Sequence, residues 1–307
     1  KLAVYQSNSG ALPSEVFASS AAAYRYRDRL PDAERAEVEA YYLYSLSNRQ
    51  AADYYAAHPE LSQNNRVIAL YELGEFAAAE SVALADIAKD AASGTPPIVQ
   101  IQTNLFVSQV FLGKLDEAKR NGEIVKRDFP SSSSAELVDQ WLASLYGLDS
   151  LEAANARTAE HAKAGRTRAI AARIAANIAA GQGRLRRSAQ LARIATAVED
   201  TTKFNFDPVG WAALQATLES VLRGSELAGI RVLDSLASSV SKRESWHDRP
   251  DLQLAAAYAE LGRSGKAKAL VAEFERTASR EERLARWGDW QAARGEVALA
   301  EGRPSDA

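Results

Sequence analysis

Residues 260–267 read Glu-Leu-Gly-Arg-Ser-Gly-Lys-Ala, a run compatible with either of two quite different folds. The Gly265-Lys266 pair is the core of a phosphate-cradling loop, which would place a nucleotide-binding α/β domain here. Such a loop also needs a glycine five residues before the glycine of that pair, and Ser or Thr after the lysine. Those positions hold Glu260 and Ala267. A strand should precede the loop, whereas residues 251–261 (DLQLAAAYAEL) carry the composition of a helix. The stretch is therefore predicted to be a turn between two helices.

The same turn returns along the chain. Gly74 to Ala79, Gly113 to Ala118, Gly262 to Ala267 and Gly302 to Ala307 share a frame of glycine first and alanine five residues later. Weaker copies fill the gaps. Ser47 to Ala52 has serine first, Leu148 to Ala153 has leucine first, Gly224 to Gly229 ends in glycine, and Gly183 to Ala189 is one residue longer. Aligned on the terminal small residue, the frames begin near 47, 74, 113, 148, 184, 224, 262 and 302, at spacings of 27, 39, 35, 36, 40, 38 and 40 residues. That is the period of a helix-pair repeat. Glycine can take the left-handed conformation that stops the first helix. The small residue then lets two helices cross closely.

Between frames the apolar pattern is helical. Ile170, Ile174 and Ile178 recur every fourth residue and form one stripe with Ala171 and Ala175. All nine prolines (13, 31, 59, 96, 97, 130, 208, 250 and 304) fall where the frame wants a loop.

The frame Gly113-Lys-Leu115-Asp-Glu-Ala118, continuing to Pro130, resembles the second half of a tetratricopeptide repeat (TPR), in copies that mostly lack the tryptophan of the ideal first helix. A second likeness lies in Ala23-Tyr-Arg-Tyr-Arg-Asp-Arg-Leu-Pro-Asp-Ala-Glu-Arg35 followed by Glu39-Ala-Tyr-Tyr42. It is similar to a signature of long C-terminal TPR regions in bacterial multidomain signalling proteins. Those regions follow a eukaryotic-type serine/threonine kinase domain, or a winged-helix regulator or adenylate cyclase. The Gly183-Arg-Leu-Arg-Arg-Ser-Ala turn and the closing Arg286-Trp to Gly-Arg303 segment add to the likeness. The resemblance implies a sensor or docking array beside a catalytic domain upstream of Lys1. Kinase hallmarks are absent from the chain itself, with no His-Arg-Asp and no Asp-Phe-Gly.

Bulk properties fit this reading. The 307 residues are 47% hydrophobic and 25% charged, with a formal net charge of −3, which exerts no global pull toward nucleic acid or acidic membranes. No apolar run approaches the roughly 20 residues of a membrane-spanning helix, and no signal peptide is visible. The lack of cysteine excludes thiolate metal sites, disulfides and cysteine nucleophiles. Methionine is missing even at position 1, and the last frame stops at Ala307 where its second helix should begin. Both point to a piece of a longer protein.

Chemistry-bearing constellations are scarce. His58, His161 and His247 fall in three different frames, without metal-ligand spacing. Structural roles are assigned to all three, and no catalytic residue, metal or cofactor is expected. Glu34, Glu37 and Glu39 face the basic run at Arg25, Arg27 and Arg29 and read as a solvated or ion-paired face. The regional anomaly is charge: residues 157–195 hold nine basic residues (157, 163, 166, 168, 173, 184, 186, 187 and 193) against Glu160 alone. On a helical wheel Arg166, Arg173 and Asn177 fall within about 40° of one another. They form the candidate site for an acidic peptide or phosphate group, weighed against a solvated face whose arginine stems cover apolar gaps. Nucleic acid is not expected, for want of stacking aromatics there. Tyr41, Tyr42, Tyr44, Tyr54 and Tyr55, and the Trp287/Trp290 pair, read as interhelical packing first and as a binding groove second.

The expectation is an all-α, right-handed superhelical solenoid of TPR-like antiparallel helix pairs over 1–307. Its repeats are 1–30 (partial), 33–60, 61–92, 97–130, 134–164, 165–200, 207–245, 250–280 and a truncated 281–307. The expected function is protein interaction or ligand sensing, as a regulatory region of a serine/threonine kinase or, alternatively, of a transcriptional regulator or adenylate cyclase. An oligomerisation scaffold and an α/α enzyme rank below. Compartment and oligomeric state are left open by the sequence.

Overall fold

The computed structural model describes residues 2–9, 11–96, 98–162, 165–202, 208–240 and 245–307. Within those helices, the side chains of residues 7–9, 133, 166, 196–202, 208, 209, 239 and 240 lie outside the description. Among the described residues there are 18 α-helices, two short 3-10 turns and no strand. The chain divides into two compact units, residues 22–204 and residues 1–21 with 205–307.

The unit of residues 22–204 holds five helix pairs: α3 (Asp32–Leu46) with α4 (Asn48–Ala57), α5 (Asn64–Glu72) with α6 (Phe76–Ser93), α7 (Val99–Phe111) with α8 (Leu115–Asp128), α9 (Ser133–Ser144) with α10 (Leu148–His161), and α11 (Gly165–Gly181) with α12 (Leu185–Thr202). The chain opens with α1 (Leu2–Ser9) and α2 (Pro13–Arg25), of which residues 2–21 belong to the other unit. Each helix from α3 to α12 packs on the next, and α5, α7, α9 and α11, the first members of their pairs, also pack in succession on one another. Nearest-neighbour stacking of this kind is what defines a solenoid, and it buries faces that one pair alone would leave wet. The other unit adds α13 (Pro208–Arg223) with α14 (Glu226–Val240), α15 (Asp251–Glu260) with α16 (Ser264–Thr277), then α17 (Arg280–Ala285) and α18 (Trp287–Ala300).

The turn glycines behave as their frames require. Gly74, Gly113, Gly183, Gly224, Gly262 and Gly302 all have φ between 60° and 73°. Each closes a Schellman motif: at Gly262 the glycine N–H donates to Ala259 O and the Arg263 N–H reaches back to Tyr258 O. Residues 260–267 are thus the end of α15, a three-residue turn and the start of α16. The lysine of the Gly-Lys pair is an ion-pair partner of Asp234, 2.6 Å away on α14.

The small residue five positions on sits at the helix crossing. Ala79, Ala118 and Ala267 are fully buried. Gly229 allows the closest approach, since a Cβ there would lie 2.3 Å from the Ala216 carbonyl oxygen. Two frames differ from the sequence reading. At Gly183 the buried small residue is Ser188 rather than Ala189, so the frame has the usual length; the Ser188 hydroxyl donates to Ala176 O at 2.8 Å. At 148 the turn glycine is Gly147 (φ 100°), outside the left-handed helical region, and the buried alanine is Ala154 while Ala153 is exposed. Prolines keep to helix starts and loops throughout the described residues; Pro97 lies outside them.

The N-terminal signature is a packing knot. The Arg27 guanidinium sits 4.0 Å over the Tyr24 ring and pairs with Glu39 at 2.9 Å. Tyr24 stacks on Tyr42, and the Tyr54 hydroxyl donates to the same Glu39 carboxylate at 2.7 Å. In the other unit, Ser14 and Phe17 hold the segment before α15. The Ser14 N–H donates to Asp248 Oδ1 at 2.9 Å, its hydroxyl donates to Oδ2, and Phe17 stacks on His247 at 4.4 Å. Burial lowers the proton affinity of His247, and Arg286 acts the same way against the nearby Glu282 and Asp248.

These turns and crossings predict different costs for the same added methyl. Gly262→Ala places a Cβ in open space and incurs only the left-handed backbone penalty, about 1 kcal/mol. Gly229→Ala must displace helix backbone and should cost about 2–3 kcal/mol. Urea unfolding midpoints of the two variants check the order; equal losses would contradict it.

Candidate functional site

The region of excess positive charge folds into a groove of about 880 Å³ in the unit of residues 22–204. Its floor is the alanine face of α11, where Ala171, Ala172, Ala175 and Ala179 recur at helical spacing. One wall is α10, through Glu152, Asn155, Ala156 and Ala159; the other is α12, through Arg187, Leu191 and Ile194. Alanine makes up most of the α11 floor and half of the α10 wall, so those side chains are short and the walls stand apart over a shallow apolar floor. Ile194 is 52% exposed, which is unusual for an aliphatic side chain facing a groove.

Polar groups fix the walls. Asn155 is buried, accepts a hydrogen bond from Gln140 Nε2 on α9 at 2.7 Å and donates to Ala171 O on α11 at 2.9 Å. At one end, the α11–α12 turn grips the start of α10. Gln182 donates to Asp149 at 2.8 Å and to Glu152 at 3.2 Å, and Arg184 pairs with Glu152 at 2.8 Å. Those hydrogen bonds hold the Glu152 carboxyl below its ordinary pKa. Arg184 is therefore neutralised within the fold. Arg168 on α11 and Arg187 on α12 are exposed and make no ion pair among the described residues. Two exposed guanidinium groups beside an alanine floor, with Arg187 within electrostatic reach of Glu152, can take a carboxylate-bearing partner with apolar side chains.

Of the residues singled out from the sequence, Arg173 and Asn177 lie elsewhere. Taking 100° per residue, Arg173 and Asn177 sit about 140° and 180° around α11 from Arg168. Asn177 is exposed and Arg173 half-buried, and neither lines the groove. The Arg166 side chain lies outside the described residues. The sequence reading followed the isoleucine stripe, which borders the face opposite the groove. The pattern Arg168, Ala172, Ala175, Ala179, at steps of four, three and four, carried the signal for the near one.

Other sequence candidates resolve into packing. Tyr55 is buried and its hydroxyl accepts from Asn65 Nδ2 at 3.0 Å, while burial pushes the Tyr44 hydroxyl up to about 12. His58 stacks on Tyr54 and meets Glu60 at 2.9 Å. Trp290 donates to Glu275 at 3.0 Å and meets Trp287 edge-on, leaving Trp287 55% exposed beside a small hollow of about 250 Å³. No group of three His, Cys, Asp or Glu able to hold a metal occurs among the described residues. No described helix is long and apolar enough to cross a membrane.

No protein-family model matches the chain, and no curated protein matches it. Among solved structures, the chain is similar to a tetratricopeptide repeat protein from Parabacteroides merdae ATCC 43184, with 11% identity and a TM-score of 0.44 over 80% of this chain and 92% of that one.

The wall geometry predicts that Asn155→Ala, which leaves the Gln140 amide and the Ala171 carbonyl without their partner, lowers stability by about 1–3 kcal/mol. Denaturant unfolding measures this, and an unchanged midpoint would show that Asn155 does not pin the groove.

Proposed function

We propose that this chain is a protein-interaction module that captures acidic segments of a partner through the α10–α11–α12 groove. The observation that carries the reading is the pair of exposed guanidinium groups, Arg168 and Arg187, over an apolar floor. The surrounding excess of positive charge steers a carboxylate-rich chain toward the site. The face with Arg166, Arg173 and Asn177 is a second candidate surface for the same partner, favoured by the exposure of Asn177.

The finer reading is that the module is the regulatory region of a bacterial multidomain signalling protein, a serine/threonine kinase before a transcriptional regulator or adenylate cyclase. It is supported by the likeness of residues 23–42 to the signature of such regions. The repeat frames from 33–60 to 281–307 are proposed as the successive units of one array, supported by the helix pair that each frame from 33–60 to 250–280 holds.

The test is peptide binding by fluorescence anisotropy against an array of acidic and basic 12-residue sequences at low and high salt. Acidic peptides should bind, weaken with salt, and lose about tenfold or more in affinity to the Arg168→Glu/Arg187→Glu variant. Arg173→Glu should leave the groove's affinity intact. Equal binding of acidic and basic peptides, or an unchanged double variant, would overturn the assignment to this groove.

A further inference from the structure

Resting on the acidic-partner reading, we infer that the occupant of the groove is an amphipathic α-helix of about two to three turns, with aliphatic residues on one face and carboxylates along its flanks. The first argument is backbone satisfaction. All three groove elements are α-helices, whose mid-helix N–H and C=O groups are spent on their own ladders. An extended peptide lying there would lose water from its backbone and find no sheet edge to replace it. A helix arrives with its backbone bonds already made.

Length and floor agree. The groove positions on α11 run from Arg168 to Ala179, and those on α12 from Arg187 to Ile194. At 1.5 Å per residue these are about 16 Å and about 10 Å, or two to three helical turns. The alanines at 172, 175 and 179 on the floor and at 156 and 159 on the wall lack the bulk that would hold another helix away. Leu191 and the exposed Ile194 supply apolar surface for an aliphatic stripe. Arg187 at the wall and Arg168 on the floor element then face the flanks of the guest, where glutamates three or four residues apart would meet them.

The test uses the 307-residue chain and three peptides of about twelve residues. One carries leucines at i, i+4, i+7 and i+11 among glutamates. The second has the same composition scrambled to remove the apolar face, and the third replaces a central residue by proline. The first should bind at least tenfold more tightly than the other two and gain helical circular dichroism on binding. Ala156→Leu, at an exposed wall position, and Ala175→Leu, on the floor, should each weaken it about tenfold while Arg187→Glu weakens all acidic peptides alike. Should Ala175→Leu fail to fold, Ala156→Leu alone decides. Scrambled and proline peptides binding as tightly as the first would overturn the helix while leaving the acidic-partner reading standing. No binding by any of the three, in salt low enough to preserve charge attraction, would remove both.

Discussion

The structure depends on one constraint: two helices must turn within two or three residues and then cross at a distance only a small side chain allows. Glycine at φ near 70° meets the first demand, and alanine, serine or glycine five residues later meets the second. Neither element alone makes a stable fold, because a lone pair of helices leaves an apolar face in water. Stacking pair upon pair covers those faces, and the buried residues form clusters running from α3 to α7, from α7 to α9 and from α13 to α18. Polar ties reinforce the stack locally. Buried Glu80 on α6, for example, accepts from Gln109 on α7 and pairs with Lys114 at the start of α8.

The same economy in side-chain size produces the candidate site. In the α11–α12 pair the alanine content is higher than a close crossing needs. The surplus faces the space between α10 and α12, where it forms a floor instead of a contact. Departure from the regular frame at Gly147 belongs to this region too. There the second helix starts directly after the glycine, and Ala154 and Asn155 serve as the buried residues. A wall held by Asn155 and by the Glu152–Arg184 pair is thus fixed in place without filling the groove.

Much of this was legible in the sequence, for a physical reason. Turn glycines and crossing alanines act within a few residues of one another, so Gly74, Gly113 and Gly262 announce their helix ends directly. The frame at Gly183 was misread because serine can replace alanine at a crossing when its hydroxyl finds a carbonyl, as Ser188 does on Ala176. The groove was missed because spacing alone does not say which face of α11 is covered by neighbours; the isoleucines drew attention to the face carrying Arg173 and Asn177. The bond between Ser14 and Asp248 joins residues 234 positions apart and leaves no local trace at all.

The most direct test of the central claim is residue-resolved amide hydrogen exchange on a variant with one crossing overfilled, Ser188→Leu. If neighbouring pairs are coupled only through their shared faces, exchange should rise in α11 and α12, less in α10, and remain at the wild-type level in α3 to α6. A uniform rise from α3 through α12 would show a single cooperative core, and would contradict a stack of pairs each held by its own small-residue crossing.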